Sequence, residues 1–125
     1  MLAPNTLGRH VMLVDDDESL RRALARAIRL AGFEVEAFGS AEGLLARGVP
    51  EGEVCLVLDV GLPGIDGIEL KRALASAGRD LPTIFITALE AEEVSGPLAA
   101  LSPLAVLYKP FNKQALLQAL SRVWA

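Results

Sequence analysis

The chain has 125 residues, close to the commonest size of one domain, so we expect a single domain over 1–125 with its core over about 9–124. Apolar residues make up 52% and charged residues 22%, which excludes a disordered chain, and the longest apolar runs are about six residues, far short of the ~20 that span a bilayer. The net charge of −4 disfavours direct binding to nucleic acid, whose phosphates it repels.

The only cysteine, Cys55, lies in an apolar run, and the only histidine is His10. This composition excludes an internal disulfide and disfavours a Cys/His nucleophile or a zinc site. Residues 1–5 lack the basic and apolar character of a secretory signal, so we expect a reducing, cytoplasmic location and no membrane association. Cys55 is predicted to be a buried core residue.

The first part of the chain contains two strand patterns, each followed by a helical pattern. The first helix presents an apolar face and is predicted to end at Gly32, because glycine suits a left-handed C-terminal cap. The second helix is predicted to begin after Ser40, a favourable N-cap, and to extend through Arg47. The strands are predicted over 11–14 and 33–38.

The same alternation continues in the rest of the chain. Asp66 is predicted to cap a helix over 67–77, and Asn112 a helix that extends to Trp124. The strands are predicted over 54–58, 83–87 and 104–108.

The fourth helical pattern, over 90–100, is the weakest of the five. Gly96-Pro97 interrupts it, and proline removes a backbone N–H and collides with the preceding turn. We therefore expect a short, kinked or split helix here.

Five alternations of strand and helix, joined by right-handed crossovers, predict an α/β fold. The strands would form a doubly wound, five-stranded parallel sheet between two layers of helices, a three-layer α/β/α architecture. Ligands bind such sheets outside the carboxyl ends of the strands. Candidate functional residues are therefore sought at the strand ends.

Polar residues follow four of the five predicted strands. The acidic run 15–18 follows the first strand, Asp59 the third, Thr87 the fourth and Lys109 the fifth. Each alone also fits a structural role: the acidic run suits a helix start, and the others suit a loop, a strand end and a surface. Together, converging carboxylates repel one another unless a divalent cation with oxygen ligands lies among them, which predicts a Mg²⁺ site.

These residues can be combined into one reaction. The Asp59 carboxylate would attack a phosphoryl group in line and form an acyl phosphate. Asp16 and Asp59 would hold Mg²⁺, with Asp15 acting directly or through a water. Lys109 and the Thr87 hydroxyl would contact the phosphoryl oxygens.

Four segments, in order, resemble the receiver domain of two-component response regulators, the family that includes single-domain chemotaxis regulators. The resemblance covers about residues 9–124 and implies a flavodoxin-like fold with strand order 2-1-3-4-5. The segments are 11–18 (VMLVDDDE), 56–67 (LVLDVGLPGIDG), 82–88 (PTIFITA) and 108–111 (YKPF).

The resemblance implies a phosphoacceptor and a metal site. Asp59 would be the phosphoacceptor, and Asp15 and Asp16 would form the acidic pocket. The backbone carbonyl of Gly61 would be a further metal ligand.

The resemblance also implies the contacts to the phosphoryl group and the partners. Thr87 would be the switch hydroxyl and Lys109 the phosphate-contacting lysine, with a cis peptide between Lys109 and Pro110. A histidine kinase or a histidine phosphotransfer protein would be the donor, and the downstream output is left open. The chain would be a phosphoacceptor and not an enzyme, with at most self-phosphorylation from donors and autodephosphorylation.

Two features depart from the family pattern. Val106 stands where an aromatic switch residue is usual, and the only tyrosine, Tyr108, lies on the same face of the strand; we hypothesise that Tyr108 partly substitutes for it. Unchanged partner binding by phosphorylated Tyr108→Ala would contradict this hypothesis. The interrupted fourth helix and Ser102-Pro103 predict a remodelled output face.

Three other classes of protein share part of this pattern. A haloacid-dehalogenase-type phosphatase needs a second aspartate two residues after the nucleophile, where this chain has Gly61, and a flavin carrier needs a hydroxyl- and glycine-rich loop where residues 15–18 are acidic. The third, a receiver fold that binds a partner independently of phosphorylation, stays open because of Val106 and Gly96-Pro97.

Overall fold

The computed structural model describes residues 9–89 and 91–124, with the side chains of residues 91 and 92 left out. Its five parallel strands have the order β2-β1-β3-β4-β5, which confirms the predicted topology. The strands are β1 (Arg9–Val14), β2 (Glu34–Phe38), β3 (Glu53–Asp59), β4 (Thr83–Thr87) and β5 (Ala105–Tyr108).

The five helices alternate with the strands, and their caps explain where they begin. The predicted caps Ser40, Asp66 and Asn112 each accept a hydrogen bond from a backbone N–H in the first turn, and Gly32 has the predicted left-handed φ of 99°. The helices are α1 (Glu18–Leu30), α2 (Ala41–Arg47), α3 (Gly67–Ser76), α4 (Ala91–Ala99) and α5 (Lys113–Ser121).

Five strand boundaries differ from the prediction; β1 begins two residues earlier than predicted, at Arg9, and β3 begins one residue earlier, at Glu53. β2 begins at Glu34 because the N–H of Phe33 still bonds, at 3.4 Å, to the carbonyl of Ile28 in the turn that ends α1. β5 begins at Ala105 and not at Leu104. β3 extends beyond its predicted end and includes Asp59 as its last residue, which fixes the backbone of Asp59 in the sheet.

The prediction that the last helix reaches Trp124 was wrong. α5 ends at Ser121, and the N–H of Val123 bonds at 3.1 Å to the carbonyl of Leu120, which tightens the chain into a turn. This turn brings the Trp124 ring against Phe33, with 5.9 Å between ring centroids, and under the Arg9 guanidinium at 5.2 Å.

The helix with an internal proline is short but not split. α4 is continuous over nine residues, with Pro97 in its last turn. Val94 and Leu98, four residues apart on one face, are both buried in the core and hold the helix against the sheet. Glu90, the predicted first residue, lies outside the described residues.

Strand side chains alternate between two cores, one on each face of the sheet. Met12, Leu56 and Phe85 lie on the face covered by α2, α3 and α4. The α1 and α5 face contains Leu13, and also Cys55, which is fully buried as predicted. Burial raises the pKa of the Cys55 thiol to about 12, so the thiol stays protonated at neutral pH.

Candidate functional site

Four strands deliver polar side chains to one edge of the sheet. Asp15 follows β1, Asp59 ends β3, Thr87 ends β4 and Lys109 follows β5. Asp15 and Thr87 are fully buried, and Asp59 is 4% exposed. Such burial of carboxylates needs compensation from opposite charge or hydrogen bonds.

Lys109 supplies that compensation to both buried carboxylates at once. Its Nζ lies 3.1 Å from Asp59 Oδ2 and 3.2 Å from Asp15 Oδ2. Burial lowers the pKa of Lys109, but the hydrogen bond to Asp59 and the charges of both carboxylates outweigh it, so its pKa is raised. The ammonium group is therefore charged at neutral pH. The peptide between Lys109 and Pro110 is cis, as the resemblance implies.

Asp15 lies in a partly satisfied environment. Its Oδ1 accepts a hydrogen bond of 2.8 Å from the N–H of Asp17. Its buried Oδ2 has the Lys109 charge nearby but no hydrogen-bond partner among the described residues. Burial raises the pKa of Asp15, and the charge of Asp59 adds to this effect, while the Asp17 N–H and Lys109 only partly oppose it.

The carboxylates fit a hard divalent cation. Asp15, Asp16 and Asp59 each offer an oxygen, and these oxygens lie within 4.8 Å of one another. The N–H of Gly61 donates to Asp59 Oδ1 at 3.0 Å, which brings the Gly61 backbone beside this cluster. The three carboxylates offer oxygen ligands, which Mg²⁺ prefers. Asp15 Oδ2, which has no hydrogen-bond partner among the described residues, would gain a partner from a bound cation. The residues of this site therefore fit Mg²⁺.

Thr87 lies beside Lys109 in the sheet. The backbone N–H of Lys109 donates to the carbonyl of Thr87 at 2.7 Å. The Thr87 hydroxyl oxygen accepts from the N–H of Leu89 at 2.9 Å, and Leu89 is 41% exposed. This bond leaves the hydroxyl hydrogen available to a further acceptor.

Val106, at the usual switch position, and Tyr108, two residues later, differ in their exposure to solvent. Val106 packs against the core on the α2–α4 face, whereas Tyr108, paired in register with Thr87, is 40% exposed. The substitution of Tyr108 for a switch aromatic stays a prediction, as does the remodelled output face. Ser102 in that region has a positive φ of 49°, unusual for a residue other than glycine.

Two contacts that support the site were not predicted. Arg21 Nη1 in α1 donates to the backbone carbonyl of Asp15 at 2.9 Å, and Glu42 Oε2 in α2 accepts from the N–H of Ile65 at 3.3 Å. Both link a helix to a loop at the strand ends. In the sequence, Arg21 follows the acidic run within the first turn of an amphipathic helix, which is the only signal for its contact.

Gly67, the first residue of α3, packs directly on the end of β3. A Cβ atom at this position would collide with the backbone carbonyl of Asp59 and lie 3.2 Å from Cα of Val60. The absence of a side chain therefore lets α3 begin against the backbone that carries Asp59.

A cleft opens beside the site between the start of α1 and the loop before α5. It has a volume of about 360 Å³. Its lining residues are Asp17, Leu20, Lys109, Pro110 and Phe111.

The family model of the response regulator receiver domain matches residues 11–121. Nodulation protein W of Bradyrhizobium diazoefficiens is 42% identical over 111 residues, which cover 87% of this chain and 48% of that protein. The transcriptional regulatory protein FixJ of Azorhizobium caulinodans is 34% identical over 93% of this chain and 54% of its own length. The chain thus spans about half the length of these curated relatives.

Solved structures show the same similarity. The response regulator StyR has a TM-score of 0.84 at 40% identity, covering 93% of this chain and 59% of that chain. The chemotaxis protein CheY4 of Vibrio cholerae has a TM-score of 0.83 at 28% identity, covering 92% of this chain and 98% of its own.

The chain belongs to the response regulator receiver family. It has the receiver fold, and phosphorylation-based two-component signalling is the standard function of this family. Receiver domains are phosphoacceptor signalling domains that bind Mg²⁺ at an acidic pocket. In the part of the chain that the structure describes, no helix has the length and apolar character needed to span a membrane.

Proposed function

We propose that this chain accepts a phosphoryl group on Asp59 and that phosphorylation changes its binding to a partner. The observation that carries the proposal is the position of Asp59. It is a nearly buried carboxylate at a strand end, in contact with a cation and beside two further carboxylates. A structural ion pair would not need the additional acidic groups.

Asp59 has the contacts expected of a nucleophile held in place. Its Oδ1 accepts from the N–H of Gly61 and its Oδ2 faces Lys109. One carboxylate oxygen forms a bond to phosphorus while the bond from phosphorus to the donor nitrogen breaks, and the imidazole keeps that electron pair and takes a proton from solvent. An ionised carboxylate needs no general base for this attack.

Asp15, Asp16, Asp59 and the Gly61 carbonyl would hold Mg²⁺. The cation would offset the negative charge of the carboxylates and of the incoming phosphoryl group. Asp15 and Asp59 are fixed in the sheet edge, whereas Asp16 is exposed and free to adjust to the ion.

Lys109 and Thr87 would contact the transferred group. Lys109 already bridges Asp15 and Asp59, so its ammonium lies where phosphoryl oxygens on Asp59 would be. The Thr87 hydroxyl accepts from Leu89 and retains its own hydrogen for donation to a phosphoryl oxygen. Through this contact, phosphorylation would be communicated along β4 and β5.

The donor would be a phosphohistidine of a histidine kinase or a histidine phosphotransfer protein. The cleft next to Lys109, with its apolar Leu20 and Phe111, offers a surface for a protein that approaches Asp59. The chain would act as one receiver domain, with its core over about 9–124, and its own turnover would be limited to self-phosphorylation and autodephosphorylation. The cytoplasmic location stays a prediction, and the output partner is left open.

Intact mass after incubation with acetyl phosphate tests the proposal. With Mg²⁺, we expect the wild type to gain one phosphoryl group, and Asp59→Asn to gain none. Asp80→Asn is the matched control, because it makes the same chemical change at an exposed carboxylate distant from the site. A wild-type gain that persists in Asp59→Asn, or no gain in a folded wild type, contradicts the proposal.

A receiver fold that acts without phosphorylation is the alternative. Val106 favours it, because this partly buried valine, packed against the core, takes the place of the aromatic residue whose rotamer is usually coupled to the Thr87 hydroxyl. A folded wild type that shows no mass gain, yet binds Mg²⁺ by amide chemical shifts, would support this alternative.

A further inference from the structure

The helices α1 and α5 form a basic surface on an acidic protein. The stretches 19–33 and 94–125 contain no aspartate or glutamate, although the whole chain has a net charge of −4. Exposed cations on these two helices include Arg22, Arg26, Arg29 and Lys113. Charge on this surface is therefore opposite in sign to the charge of the chain as a whole.

Three of the four arginines of α1, Arg22, Arg26 and Arg29, share one exposed face of the helix. They are spaced by four and three residues, so their side chains are neighbours along the helix. Arg22 is paired with Glu18 at 3.6 Å, with both side chains well exposed. Among the residues that the structure describes, no carboxylate lies within ion-pair distance of Arg26, Arg29 or Lys113.

A cleft with an apolar floor separates the exposed edges of the two helices. α1 and α5 pack on the same core cluster, and the cleft between them has a volume of about 310 Å³. Leu30 is 76% exposed and presents apolar surface to solvent at this cleft. The lining residues are Arg26, Ala27, Leu30, Ala31, Lys113 and Leu117.

The cleft continues along α5. A second depression of about 380 Å³ shares Leu117 with the first. Its other lining residues are Gln114, Gln118 and Ser121, which are polar and uncharged. The surface thus has an apolar centre, basic residues on both sides and a hydrogen-bonding extension.

We propose that this α1–α5 cleft binds a helix of another protein that presents leucine-like side chains flanked by carboxylates. An amphipathic helix places apolar residues at i, i+3, i+4 and i+7, which matches an elongated apolar floor. Its carboxylates would pair with Arg26 and Lys113 on the two sides of that floor. None of the residues that line this cleft belongs to the site around Asp59, so its occupation is distinct from phosphoryl transfer.

Charge and shape decide between this occupant and others. A second copy of this chain would bring the same arginines against this surface, and the like charges would repel each other. A membrane or a nucleic acid would be attracted by the basic groups but repelled by the net charge of −4, and neither presents a convex row of apolar side chains to the cleft. An acidic amphipathic helix satisfies both the charge and the apolar floor.

Titration of the isotope-labelled chain with a synthetic helical peptide tests the proposal. The peptide, about 18 residues long, carries leucines at helical spacing with glutamates beside them. We expect amide shifts on α1 and α5, and at least about a tenfold loss of affinity in Arg26→Glu/Arg29→Glu. Lys113→Glu is a second, independent variant with a loss in the same direction. Arg72→Glu is the matched control, because it reverses an exposed arginine on α3 and should leave affinity unchanged.

Several outcomes would overturn the proposal. One is a set of amide shifts that lie outside α1 and α5. Another is equal affinity for a peptide with lysines in place of the glutamates. A third is a loss of affinity in Arg72→Glu that equals the loss in the α1 double variant. A wild-type dimer in sedimentation that the double variant abolishes would replace the helix by a second copy. Binding to phosphatidylglycerol vesicles or to duplex DNA that exceeds binding to the peptide would likewise overturn it.

Discussion

Lys71 and Lys109 both form ion pairs with aspartates, and the two pairs differ in what they leave unsatisfied. Lys71 in α3 is 4% exposed, and its Nζ contacts Asp80 Oδ1 at 2.9 Å and the Leu81 carbonyl at 2.5 Å. Lys109 contacts two carboxylates that are buried themselves.

The difference lies in the partners and not in the lysines. Asp80 is exposed, so water shares its charge, and both partners of Lys71 are close to it in the sequence. The partners of Lys109 come from two other strands, and Asp15 Oδ2 still lacks a hydrogen bond. A satisfied pair fixes a loop, whereas an incompletely satisfied cluster can accept a cation or a phosphoryl group.

Loss of the ammonium at position 109 should have the largest effect. We expect Lys109→Met to slow phosphorylation by acetyl phosphate about 100-fold, because one positioned cation at the developing charge is lost. Time-resolved intact mass measures the rate. Lys113→Met is the control, since it removes an exposed lysine without a partner in the described site; a comparable loss there would contradict the assigned role.

Loss of the ammonium at position 71 should affect stability and not chemistry. Lys71→Met removes the bonds to Asp80 and to the Leu81 carbonyl, and we expect it to lower the free energy of unfolding by about 1–3 kcal/mol. Urea denaturation measures this change. Phosphorylation of the folded variant should match the wild type, and a rate as low as that of Lys109→Met would remove the distinction between the two pairs.

The smallest expected effect concerns pH. The hydrogen bond and charge of Lys71 lower the pKa of Asp80 from its ordinary value of 3.8. The stability that this pair contributes should be fully present above the pKa of the unfolded chain and lost as pH falls through the lower pKa of the folded state. Comparing urea midpoints from neutral to acidic pH, we expect Asp80→Asn to lose part of this dependence; an identical pH profile would argue against the pair.

Much of the architecture follows from local patterns in the sequence. Apolar β-branched runs located the strands, and side-chain oxygens at Ser40, Asp66 and Asn112 located three helix starts. The convergence of Asp15, Asp59 and Lys109 was predictable because parallel strands end at one edge.

The features that the sequence analysis did not predict depend on contacts between residues that are distant in the sequence or in different elements. The turn that ends α5 at Ser121 places Trp124 against Phe33 and Arg9, which are distant in the sequence, so local patterns did not reveal it. The burial of Lys71 is not predicted from the sequence, because lysine side chains are mostly exposed and this burial depends on contacts with Asp80 and the Leu81 carbonyl. Its spacing gave a signal, since Leu70 and Leu74 lie on the same helix face, one preceding Lys71 directly and the other three residues on.

Gly67 shows that a residue without a reactive group can tolerate substitution less well than a reactive residue. Its hydrogen atom faces the backbone of Asp59 and Val60, so any larger residue would push α3 away from β3. In a library of single substitutions sorted by folding alone, position 67 should accept almost nothing, while position 59 accepts asparagine. A site of phosphoryl transfer would then appear in such a map as a permissive residue next to an intolerant one that carries no reactive group.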